Sequence, residues 1–145
     1  MVWTSYTHQL WADIRYGMGV SSTSLQHLTQ GLVSYDYDLT SSLSVVRTIN
    51  KECRYLPSTF SGMGLFDITV ETTAATLNSF LQYYNMDMAI RITLTRALEN
   101  LQLELGAPDN PLKYDFSIWG ALATHLWIKS LLEKIDAFSI KVHLN

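Results

Sequence analysis

Two aspartates one residue apart, each preceded by a tyrosine, stand in the run Ser34-Tyr35-Asp36-Tyr37-Asp38-Leu39. Paired carboxylates beside an aromatic suit a nucleotidyl-transfer site, because magnesium takes octahedral oxygen ligation and two such ions can clamp the attacking and leaving oxygens. Asp36 and Asp38 share a face only on a strand; on a helix they stand about 200° apart. The surrounding pattern is helical and no partner carboxylates support the pair. The stretch therefore reads as an exposed polar break between helical pieces.

The other reactive residue types are dispersed. Cys53, the only cysteine, lies beside Lys51 and Arg54, cationic neighbours of the kind that activate a nucleophilic thiol; a packing role is the plainer reading. One cysteine excludes an internal disulfide and a multi-cysteine zinc site. His8, His27, His125 and His143 have no histidine at i+3 or i+4, so they form no ligand pair, and no metal or cofactor is expected. The run Phe60-Ser61-Gly62-Met63-Gly64-Leu65-Phe66 lacks the lysine and hydroxyl of a phosphate cradle and reads as a structural turn. Trp3, Trp11, Trp119 and Trp127 could stack bases, yet all four fall on apolar helical stripes that assign them to packing. Arg15, Arg47, Lys51 and Arg54 are the least dispersed cations and the candidates for contact with backbone phosphates. A net charge of −3 with no basic run leaves the isolated chain a poor nucleic-acid binder.

The elements that must position these residues are helical. Trp3, Tyr6, Leu10, Trp11 and Ile14 recur at spacings of three and four, which predicts a helix reaching Tyr16 and stopping near Gly17 and Gly19. A second should start at Ser22-Thr23-Ser24, where Thr23 and Gln26 make a capping box and Leu25, Leu28 and Leu32 an apolar face. From Arg47 to Phe66, Pro57, Gly62 and Gly64 predict a short helix followed by an ordered loop, each glycine marking a positive φ or a close backbone approach. Asp67 and Thr69 offer caps for a helix with Val70, Ala74, Leu77, Leu81 and Tyr84 as its core-facing stripe. After a break at Asn85-Met86-Asp87, the residues Ile90, Leu94, Ala97, Leu98, Leu101 and Leu105 define the next, closed by Gly106 and Pro108. Asp115 should cap a short helix through Trp119, and Thr124 a longer one carrying Trp127, Ile128, Leu131, Leu132, Ile135 and Phe138. The end alternates Phe138, Ile140, Val142 and Leu144 against polar neighbours, a strand pattern with no strand to join.

With 145 residues, 48% of them hydrophobic, the chain reads as a single all-α domain over 1–145, of five or six helices with an irregular loop from Pro57 to Leu65. Only 16% of residues are charged, against about 25% in average soluble proteins. So thin a charge cover suggests a surface normally hidden by a partner or by the rest of a longer polypeptide. The amino terminus lacks the pattern of a secretory signal and no apolar run approaches a membrane span, which points to an intracellular site, cytoplasmic or nuclear.

Read together, Ile14 to Leu28, Ser44 to Glu71, Ala97 to Gly106 and Asn110 to Glu133 resemble the region downstream of the polymerase palm in reverse-transcriptase-like proteins of retroelements. The match is to an arginine-tyrosine start, a helix, a landmark of the type R-x-L-P-x-x-x-x-G-x-G-L, carried here by Arg54, Leu56, Pro57, Gly62, Gly64 and Leu65, and then a helical section. The resemblance implies a thumb- or connection-like segment that supports the palm or its template-primer duplex. It also implies that the magnesium-binding aspartates lie upstream in an aromatic-x-Asp-Asp turn; no adjacent Asp-Asp occurs in this sequence. The expectation is a non-catalytic piece of a longer polypeptide, partnered by the missing palm or another chain through an aromatic-rich face, with weak nucleic-acid contact. The alternative is a self-contained helical module that dimerises or docks a protein through the same face.

Overall fold

A computed structural model of the chain describes residues 15–31, 49–86 and 88–144. The readings made for Trp3 to Ile14, for Asp36 and Asp38, and for Arg47 lie outside the described residues. Among the described residues the regular structure is entirely helical, so the all-α expectation holds. Residues 25–31 are helical (α1), followed by α2 (Lys51–Tyr55), α3 (Ile68–Asn85), α4 (Met88–Leu105), α5 (Phe116–Trp119) and α6 (Leu126–Ala137). Single 3₁₀ turns stand at Ser58–Phe60, Pro111–Lys113 and Gly120–Leu122.

The boundaries follow local chemistry. Ser24 precedes α1 and its hydroxyl accepts from the His27 amide at 3.4 Å, so the cap lies one residue beyond the expected Thr23. Asp67 caps α3 by accepting from the Thr69 amide at 2.9 Å, as expected. Gly106, at φ +60, ends α4. Asn110 caps the following 3₁₀ turn through the Leu112 amide at 3.0 Å. The cap of α6 is His125, whose Nδ1 accepts from the Ile128 amide at 3.4 Å, and not the expected Thr124. Thr124 is occupied elsewhere: its hydroxyl donates to Glu104 Oε1 at 2.6 Å and its amide faces Oε2 at 3.3 Å, which clips the start of α6 to the end of α4.

The core joins Phe80 of α3, Leu94, Leu98, Leu101 and Leu105 of α4, and Ile128, Leu131, Leu132 and Ile135 of α6. The stripes read for α4 and α6 therefore face inward, apart from Ile90 and Phe138, which are exposed. Phe80 stacks on Trp127 with ring centroids 6.5 Å apart, and Trp119 packs on the same core. The alternating end forms no strand; Val142 is buried, and Ile140 and Leu144 pack on the core from an irregular segment laid against it. An alternating pattern needs one apolar surface to lie on, and a helical core supplies it as well as a sheet would.

The helix α3 departs from the reading. Its buried face is Thr72, Thr73, Thr76 and Phe80, whereas Val70, Ala74 and Leu81 of the expected core stripe are exposed. Leu77 and Tyr84, at the edge of that stripe, pack partly on the core. Each buried threonine donates its hydroxyl to the carbonyl four residues back, Thr72 to Ile68 at 2.6 Å, Thr73 to Thr69 at 2.8 Å and Thr76 to Thr72 at 2.7 Å. Burial therefore leaves these hydroxyls satisfied, and the methyl groups are free to pack.

Candidate functional site

The landmark loop is built by α2 and the chain that doubles back on it. Leu56 ends α2 in an extended conformation, Pro57 starts the 3₁₀ turn, and the return strand of the loop bonds to the helix it has left: the Met63 amide donates to the Cys53 carbonyl, Gly64 to Leu56 and Leu65 to Arg54, each at 2.9 Å. Leu65 is buried beneath Tyr55, Met63 and Phe66. Gly64 has φ +64, in the left-handed region, and a β-carbon on Gly62 would overlap the Leu56 carbonyl. Both expectations for these glycines hold, one for each: a positive φ and a close approach. The backbone donors are spent on the loop itself, which fits a structural turn.

The candidate phosphate contacts are separated in role. Arg15 is exposed and lines a shallow groove against α3 with Tyr16, Glu71 and Asn78. Arg54 is half-buried and donates from Nη2 to the Ile49 carbonyl at 3.1 Å, so its guanidinium holds the start of α2. Lys51 is the first residue of α2. Cys53 is exposed, and no histidine side chain is hydrogen-bonded to it among the described residues. Nor does any group of three histidine, cysteine, aspartate or glutamate side chains there stand ready to hold a metal ion.

What the described residues do present is apolar surface. One part is a stripe on the outer face of α3, with Val70 47% and Leu81 39% exposed and Ala74 between them, flanked by the exposed Asn78, Gln82 and Asn85; the three recur at four and seven residues and so share one side of the helix. The other is a groove of about 560 Å³ between α3, α4 and the start of α6, lined by Val20, Tyr83, Ile90, Leu94, Trp127 and Ile128. The Trp127 indole N–H donates to the Gly19 carbonyl at 3.2 Å, which seats Val20 at the groove's edge. Tyr83 and Trp127 form its aromatic wall. Sequence reasoning missed the outer face of α3 as a surface because it placed that stripe inside. No helix of the described residues is long and apolar enough to cross a membrane. Comparisons with protein-family models, with curated proteins and with solved structures give no match.

Proposed function

We propose that this chain is a non-catalytic helical segment of a reverse-transcriptase-like polypeptide, positioned after the palm and shaped to be covered by it. The observation that carries the reading is α3, which turns its threonines inward and leaves Val70, Ala74 and Leu81 outside. These three side chains form an apolar stripe beside the exposed Asn78, Gln82 and Asn85, and a helix packed on one side with such a stripe on the other is suited to lie between two bodies. The closed loop from Cys53 to Leu65 supports the reading further, since two residues of the landmark, Gly62 and Gly64, are glycines that its geometry requires. Duplex contact in the parent falls to exposed cations such as Arg15, with Arg47 and Lys51 as further candidates and Arg54 held on its own backbone.

The genomic sequence 5′ of the Met1 codon tests this reading. The expected result is an open frame encoding an aromatic-x-Asp-Asp turn, whose palm fragment, when co-expressed, copurifies with this chain and is lost with the double variant Val70→Lys, Leu81→Glu. A frame without that turn, or a stable symmetric dimer closed over the same face, overturns it in favour of a self-contained interaction module.

A further inference from the structure

Among the described residues the fold buries one charged side chain completely, and it lies outside both apolar features. Lys134 of α6 has 0% of its surface exposed. Its Nζ stands 2.9 Å from the Ser130 hydroxyl, one turn back on the same helix, and 3.3 Å from the Thr76 hydroxyl on α3. Each hydroxyl passes its own hydrogen onward. Thr76 donates to the Thr72 carbonyl at 2.7 Å, with the Met18 carbonyl at 3.5 Å, and Ser130 donates to the Thr23 carbonyl at 3.2 Å. One nitrogen thus ties together α3, α6 and residues 17–24, a strap that crosses the seam between the two helices.

The knot offers Nζ two hydroxyl oxygens and no donor, because both hydroxyls give their hydrogens to carbonyls. An ammonium there is left with one unpaired N–H and an uncharged amine with an unpaired lone pair; in a fully enclosed site the charged group is the costlier one to leave unpaired. Around Nζ, α3 contributes the hydroxyl of Thr76; its acid, Glu71, lines the groove beside Arg15. The strap contributes carbonyls, and beyond it His27 is exposed against Ser24. From α6 itself, Glu133 is the charged neighbour; it favours the ammonium, but its carboxylate faces the Leu25 amide at 3.4 Å. Burial, the larger influence, holds the Lys134 amine below the usual lysine range.

We propose that Lys134 is a proton-gated latch: as a free amine it fastens the 17–24 strap across the α3–α6 seam, and on protonation it loosens the strap and with it the Val20 edge of the apolar groove. The device depends on no assumption about the parent polypeptide. Because the strap also accepts the Trp127 indole N–H at Gly19, its release has a local reporter.

The test follows the Lys134 Cε resonance and the Trp127 indole N–H resonance by NMR in the whole chain, from neutral pH upward. Lys134 should titrate below the other lysines, and the Trp127 signal should move with the same midpoint. In K134M, which lacks the fastening amine, that indole transition should vanish and the signal should stand away from the parent's high-pH position at every pH. A Lys134 that titrates with the other lysines, or a Trp127 signal indifferent to its titration, overturns the latch. Both readings come from the unaltered chain, so the outcome stands even if K134M does not fold.

Discussion

Gly62 and Gly64 sit two residues apart in one loop and are required for different reasons. Gly64 occupies the left-handed region, where a β-carbon costs about 1–2 kcal/mol, but space around it is open enough to take a methyl group, whose nearest neighbour would be the Ser58 amide nitrogen at 3.8 Å. Gly62 has an ordinary φ, and its constraint is the Leu56 carbonyl directly over its α-carbon. Relief there needs the return strand to move, which loosens the bonds from Met63, Gly64 and Leu65 back to α2. Gly64→Ala should therefore lower stability by about 1–2 kcal/mol and leave the loop intact. Gly62→Ala should cost about 1–3 kcal/mol, in the range of overpacking, and also raise hydrogen exchange at the Met63, Gly64 and Leu65 amides. Equilibrium unfolding in urea with amide exchange separates the two; equal protection of those amides in both variants would count against the overlap at Gly62.

At the scale of the element, α3 decides how far the sequence can be read. Its two faces predict opposite responses. Val70→Lys, on the exposed side, should change stability by no more than about 0.5 kcal/mol, while Phe80→Ala, fully buried against Trp127 and Tyr84, should cost about 3–5 kcal/mol. Thermal or urea unfolding of the two variants checks the orientation, and a costly Val70→Lys beside a mild Phe80→Ala would reverse it. The same comparison explains what was legible. In α4 the leucines at 94, 98, 101 and 105 were read correctly because one stripe is apolar and its opposite carries Arg96 and Glu99. In α3 the apolar stripe competes with a threonine stripe. Periodicity counts threonine as polar, yet three hydroxyls turned onto their own helix carbonyls remove the cost of burying them. The helix ends were legible to within a residue, and the misplaced cap of α6 has a tertiary cause, since Glu104 claims Thr124 from another helix. The landmark loop was legible because its glycines are demanded by backbone geometry alone. The buried lysine was not, as nothing in the spacing around Lys134 marks it as interior.

For the whole molecule, that lysine links proton concentration to stability. Its amine is held below the usual lysine range in the folded chain, chiefly by burial, and returns to about 10.4 when the chain unfolds. Between the two values the unfolded chain binds a proton that the folded chain does not, so stability must rise with pH across that window. Below the folded value both states are protonated and the penalty of enclosing an ammonium is fully present; above about 10.4 it is gone. In K134M the penalty is absent at every pH, and Thr76 and Ser130 keep the carbonyls to which they donate. The variant should accordingly be as stable as the parent chain or more so at neutral pH, with the difference shifting in favour of the parent as pH climbs toward about 10.4. Urea unfolding of both chains over this range isolates the effect, since the remaining lysines and tyrosines titrate in both and cancel in the difference. A difference that stays constant with pH would mean that Lys134 keeps its proton through folding, and one that moves toward the variant would mean that the folded chain binds this proton more tightly than the unfolded one.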